Sequence, residues 1–257
     1  YIIVDTAGMR RKARVHEAIE YYSVVRGNKA IERSDVAILL IDAAEGPTEQ
    51  DTKIAGLAIN QGKPVILCVN KWDLEEKATE TKDDFTAELR RQFAFMPWAK
   101  HVYISALTTE GIKQLMQVVD QVYEASQRKI RTSVLNDFIW EAQALQPPAS
   151  DKGRRLKIRY STQVSTAPPT FLFFLNDRKL LSAAYERYLE NAMRRNFDLE
   201  GTPIRFILRQ QSPRQEEKAR EKRLAAQEAR QEEARQEADS QDDGDGFEVD
   251  EVAMHNE

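Results

Sequence analysis

The run Pro64-Val65-Ile66-Leu67-Cys68-Val69 is apolar at every position and ends abruptly in Asn70-Lys71-Trp72-Asp73. A strand with no polar face must be covered on both sides, which is how strands of a parallel α/β sheet read. Val36-Ala37-Ile38-Leu39-Leu40-Ile41-Asp42 and His101-Val102-Tyr103-Ile104 have the same form, and Tyr1-Ile2-Ile3-Val4 reads as a further buried strand. Helical patterns alternate with them. They span Tyr21 to Arg33, Thr48 to about Gln61 with Glu49 and Asp51 suited to the first turn, Thr81 to Phe93, and Gly111 to Ser126. In the last, Ile112, Leu115, Val118, Val119 and Val122 share one face. This rhythm predicts a doubly wound, mostly parallel sheet.

Polar residues cluster where the strands end, and in such sheets ligands sit at carboxyl ends. An ionised Asp73 offers two acceptor oxygens to the two donors on the Watson–Crick edge of guanine, and adenine presents nothing comparable. Asn70 can meet acceptors across the ring, and the Lys71 stem can lie along an aromatic face. Asp5-Thr6-Ala7-Gly8 is a DxxG: Asp5 can hold Mg²⁺ through water, and the Gly8 N–H can meet a terminal phosphate. After the His101 strand, Ser105-Ala106 leaves room for a backbone N–H to reach the guanine carbonyl. Each motif alone also describes an ordinary turn. Three at matching strand ends point to a guanine nucleotide.

Charge is uneven along the 257 residues: 16 Lys/Arg stand against 19 Asp/Glu over 1–125, 15 against 8 over 126–211, and 7 against 15 over 212–257. A basic block between acidic flanks suits a nucleic-acid or ribosomal surface, the other reading being a solvated charged face. The single Cys68 lies within a strand, so no intrachain disulfide forms and the thiol is expected buried. His16, His101 and His255 are scattered and suggest no zinc site. No apolar run has membrane-spanning length, so a cytoplasmic protein with no membrane partner is expected.

The second half changes rhythm. A helix over Ser133 to Ala144 stops at Pro147-Pro148. Strands over Arg154 to Val164 and Thr170 to Leu175, a helix over Ser182 to Asn196 and a strand over Ile204 to Leu208 complete an α-β-β-α-β unit. Tyr185, Tyr188 and Leu189 are expected inward, and Phe171, Phe173 and Phe174 read as core rather than as a stacking platform. Gly153-Arg154-Arg155 and Arg194-Arg195 are candidate phosphate contacts. From Ser212 the charged stretch has no apolar stripe and reads as a disordered tail.

The segments DTAGMRRKARV, EYYSVVRGNKAIERSDVAILLIDA, NKWDL, GRRLKIRYSTQ, PPTFLF and EGTPIRFILR resemble the bacterial double-Era-like GTPases of the Der (EngA) family, up to about Gln211. The resemblance implies a P-loop NTPase-type partial Era-like GTPase domain over 1–127, the second of a tandem pair. A KH-like domain over 128–211 and the tail over 212–257 follow. It further implies a GTP-hydrolysing factor in late maturation of the large ribosomal subunit, with GTP, Mg²⁺ and K⁺ as ligands. Partners would be that subunit, its rRNA and an intramolecular first GTPase domain. Carried over, Asp5, Thr6, Ala7, Gly8 and Met9 face phosphate and metal. Asn70, Lys71, Trp72, Asp73, Ser105 and Ala106 face guanine. No GxxxxGK[ST] or GxxG occurs, and Tyr1 is not an initiator Met. The chain is therefore expected to be a carboxyl-terminal piece, its sheet split by a missing strand, binding GTP poorly alone. Met9 stands where many small GTPases use a Gln to orient water, so slow intrinsic turnover is expected. The alternative is a non-catalytic ribosome- or RNA-binding module.

Overall fold

The computed structural model describes residues 1–6, 27–74, 79–151 and 153–210, without the side chains of 79–81. The expected basic segment Met9–Arg14, most of the helix starting at Tyr21 and the 212–257 tail lie outside these residues. The predicted alternation appears as α1 (27–33), β1 (Ala37–Asp42), α2 (Glu49–Asn60), β2 (Val65–Asn70), α3 (Thr79–Gln92), β3 (Lys100–Tyr103) and α4 (Ile112–Gln127). β1, β2 and β3 pair in parallel in that order, with Asp42 opposite Asn70 and Val69 opposite Tyr103. The three strands thus end at one level.

Both faces of β2 are covered, as its unbroken apolar run requires. Val65, Leu67 and Val69 pack with Ile31, Ala55, Ala58 and Leu89 from α1, α2 and α3, and with Phe93 just after α3. Ile66 and Cys68 pack with Leu115 and Val122 of α4. Each fully buried aliphatic side chain here stabilises the fold by about 1.5–3 kcal/mol. Burial pushes the Cys68 thiol up to about 12, so it stays protonated and serves as packing. Thr48 caps α2 through a reciprocal box with Asp51, the first-turn chemistry its sequence predicts.

The strand expected at Tyr1–Val4 does not form. Residues 1–6 lie exposed, Ile2 at 95%, and the Tyr1 hydroxyl donates to the Asp120 carboxylate on α4. A strand needs a neighbour for its N–H and C=O groups, and among the described residues β2 is the only strand paired with β1. β1 shows the same deficit: Leu39 and Ile41 are buried, whereas Ile38 and Leu40 on the α4 face are 42% and 55% exposed. Among the described residues the parallel sheet is therefore three continuous strands with β1 at its edge, not the two separated pieces expected from the sequence.

The second part comprises α5 (Thr132–Leu145), a hairpin of β4 (Ser150–Asp151) and β5 (Arg154–Arg155), β6 (Ile158–Ser165), β7 (Thr170–Leu175), α6 (Ala183–Asn196) and β8 (Arg205–Gln210). β7 lies between antiparallel β6 and parallel β8. The strand expected over Arg154 to Val164 is broken: Arg154–Arg155 pairs back on β4, Leu156 turns into the core, and the ladder with β7 starts at Ile158. Phe171 and Phe173 are fully buried among Leu135, Ile139, Leu189 and Met193, so the aromatic row is core. Tyr185 is buried and Tyr188 half-buried against this core, as expected. Among the described residues no helix is long and apolar enough to cross a membrane.

Candidate nucleotide-binding site

The carboxyl ends of β2 and β3 are tied together by backbone. Ile104 N–H donates to the Val69 carbonyl at 2.7 Å, and Trp72 N–H donates to the Ile104 carbonyl at 3.1 Å. Asn70 adds a side-chain tie, its Oδ1 accepting the Ala106 N–H at 3.0 Å. Two motifs separated by about thirty residues of helix and strand therefore meet. The Ala106 N–H expected to face a base carbonyl is given to Asn70 here.

Lys71 turns the chain with φ of 64°, a left-handed value that a non-glycine residue adopts only when its surroundings hold it. Its ammonium reaches the Asp42 carboxylate at 2.6 Å, and Asp42 Oδ1 also accepts the Ala44 N–H. Asp42 is a site residue that sequence reasoning missed; an Asp closing an apolar strand was the available signal. The Trp72 indole packs on Tyr103 and Phe85, with ring centroids 4.4 Å and 5.6 Å away. It anchors the short 3-10 turn Trp72–Leu74 that carries Asp73. Asp73 is half-buried, and among the described residues no hydrogen bond or ion pair engages its carboxylate. A carboxylate with both oxygens available can accept from a base that offers two donors.

Ser105 is buried, its N–H donating to the Glu110 carbonyl and its Oγ accepting the Thr108 N–H. The loop is thereby folded on itself ahead of Gly111, the left-handed N-cap of α4. On the phosphate side the structure brings together less. Asp5 and Thr6 are exposed and no hydrogen bond joins them to the β2 and β3 ends among the described residues, while Ala7, Gly8 and Met9 lie outside the described residues. Nor is any group of three or more His, Cys, Asp or Glu among the described residues placed to hold a metal ion.

Residues 21–125 match the family described as the elongation factor Tu GTP binding domain, and residues 129–209 match the KH-domain-like region of EngA bacterial GTPase enzymes, C-terminal. The chain is 50% identical over 216 residues to GTPase Der of Desulfitobacterium hafniense (strain DSM 10664 / DCB-2), covering 84% of this chain and 49% of the relative. The chain is a homologue of the Der GTPases. GTPase Der of Alkaliphilus metalliredigens is likewise 50% identical over 214 residues, covering 83% of this chain and 49% of that protein. The chain spans about half the length of the Der relatives it matches. A crystal structure of an Aquifex aeolicus Era variant bound to GDP and AlF4⁻ aligns at TM-score 0.37 and 16% identity, over 77% of this chain and 73% of that one.

Proposed function

We propose that this chain provides the guanine-recognising half of a GTP-hydrolysing cytoplasmic factor that acts in late maturation of the large ribosomal subunit. The observation that carries the reading is the hold of the Asn70 side chain on the Ser105-Ala106 loop near Asp73, whose carboxylate makes no hydrogen bond or ion pair among the described residues. Asp73 takes the two donors of guanine, Asn70 and an N–H of the Ser105–Leu107 loop meet its acceptors, and Lys71 and Trp72 hold the turn. Adenine would leave Asp73 unpaired, a cost that rejects the wrong base strongly. Asp5, Thr6, Ala7, Gly8 and Met9 form the phosphate-side loop, with Asp5 holding Mg²⁺ through water. A bound Mg²⁺ neutralises charge on the phosphates. The Met9 thioether cannot orient attacking water, so turnover is slow until K⁺ or the ribosomal particle supplies that function. Residues 1–127 form the GTPase part, 128–211 the KH-like part that with a first GTPase domain engages rRNA, and 212–257 a charged tail. Asp73→Asn tests the base assignment in this chain joined to the amino-terminal half of a Der relative. Preference should move from guanine toward xanthine nucleotides, and an unchanged preference defeats the reading.

The exposed Tyr1–Val4 segment and the uncovered Ile38 and Leu40 favour a second reading, a ribosome- or RNA-binding module without catalysis. The coding sequence directly upstream of Tyr1 separates the two: an open frame encoding GxxxxGK[ST] rules out the second, and its absence defeats the first.

A further inference from the structure

The segment between α4 and α5 plays no part in the nucleotide cleft. Its residues Arg128, Lys129 and Arg131 border a cavity of about 310 Å³ whose facing wall is Asn196, Phe197 and Asp198, where α6 ends. The walls are held in place. Gln163 Oε1 accepts the Ile130 N–H at 2.8 Å and Gln163 Nε2 donates to the Arg128 carbonyl at 2.9 Å, clamping the linker backbone. The Phe197 ring is half-buried and braced edge-on by Phe138, centroids 5.0 Å apart. Asp198 turns the chain with φ of 50°.

The electrostatics favour an anion. Three cations face one carboxylate, and the Arg128–Asp198 pair is long, at 3.7 Å, and open to solvent, so it neutralises little. Arg131 is also the N-cap of α5 and no side chain caps that end, which adds the positive end of the helix dipole. The geometry points to a contact for single-stranded RNA in this cavity: phosphates on Arg128, Lys129 and Arg131, one base on the Phe197 ring, and its edge against the Asn196 amide. At about 310 Å³ the cavity has the size of one nucleotide. An acidic protein would satisfy the cations but has no use for a recessed ring beside an amide. This inference rests on the rRNA partnership proposed above, and it gives that partnership a grip in a sequence without GxxG.

Fluorescence anisotropy of a single-stranded oligoribonucleotide of about 12 nucleotides on the full chain tests it. The triple change Arg128→Gln, Lys129→Gln, Arg131→Gln should weaken binding about tenfold and lower the salt slope by roughly two. Phe197→Leu, which keeps apolar volume, should weaken it roughly fivefold without changing that slope. A 4-thiouridine in the same strand should crosslink within residues 196–198. Full affinity in both variants, with the unaltered chain still binding, overturns the cavity assignment and leaves the rRNA reading standing. No RNA binding by the unaltered chain overturns both. If the variants instead lose binding to a poly-glutamate peptide and keep RNA, the occupant is an acidic protein and the RNA assignment fails.

Discussion

Asn70 Oδ1 and the Ala106 N–H, 3.0 Å apart, join the loop after β2 to the loop after β3. The neighbouring Val69–Ile104 and Ile104–Trp72 bonds align the strand ends, and among the described residues the Asn70 side chain alone reaches the exposed start of the second loop. Asn70→Ala frees an amide that water can satisfy, so the global cost should be about 1 kcal/mol or less. The local effect should be larger. Amide hydrogen exchange at Ala106 should accelerate roughly tenfold while β2 amides keep their protection. Equal protection at Ala106 in both proteins would show that the loop is held by something else.

The parallel sheet was legible because β2 is apolar on both faces and strand patterns alternate with helical ones on either side of it. Tyr1–Val4 carries the same pattern and was misread, since a strand also needs a hydrogen-bonding neighbour that local composition cannot supply. The meeting of the loops after β2 and β3 was legible because Asn70 and Ser105 follow neighbouring strands whatever the helix between them does. The Lys71–Asp42 pair was not, because it depends on the β1–β2 register placing Asp42 opposite Asn70. The doublet Arg194-Arg195 was read as two phosphate contacts. Successive helical residues point about 100° apart, and only Arg195 faces outward; Arg194 is buried.

Gly111 and Gly46 both have positive φ, at 77° and 70°, yet they differ in what surrounds them. A Cβ at Gly111 would stand 2.3 Å from the Tyr103 carbonyl oxygen, a backbone atom at the end of β3, whereas a Cβ at Gly46 meets nothing within 4 Å. Gly46→Ala should therefore cost about 1 kcal/mol from backbone conformation alone. Gly111→Ala should cost at least about 2 kcal/mol more, because β3 or the start of α4 must shift. Urea midpoints of the two variants provide the comparison. Equal losses would mean the α4 N-terminus yields freely.

His101, on β3, has its pKa lowered below the ordinary value, first by burial and then by the charges of Arg90, Lys82 and Lys100. The unfolded chain then takes up a proton that the folded chain refuses. Stability from this residue is complete above pH 6.5, falls as pH drops through 6.5, and levels off below the depressed folded value. Urea midpoints measured about one unit above and about one unit below 6.5 should drop toward acid in the unaltered chain and drop less in His101→Gln. Added salt should shrink the difference only in part, since burial is the leading cause. A difference abolished by salt would make the three cations the cause instead.

Arg194 joins the two sheet-bearing parts of the chain. Its Nη1 donates to the Leu199 and Thr202 carbonyls at 2.7 and 2.6 Å, its Nη2 donates to Glu190 at 2.6 Å, and its guanidinium lies 4.8 Å over the Trp98 ring. Trp98 in turn accepts the Gly201 N–H through its carbonyl, and Lys100 pairs with Glu200 beside it. The guanidinium already carries one unsatisfied buried nitrogen, Nε, so this arrangement tolerates little further loss. A lysine keeps the charge but offers one ammonium at the end of a flexible stem, which cannot serve two carbonyls and a carboxylate while lying flat on an indole. Arg194→Lys should thus cost at least about 2 kcal/mol, close to the loss in Arg194→Met, which strands the same carbonyls. Arg195→Lys, on the exposed side of the same helix turn, should stay within about 0.5 kcal/mol. Urea denaturation ranks all three. If Arg194→Lys matched the unaltered chain, charge alone would hold the loop at 199–202, and the planar fork would have no part in joining it to Trp98.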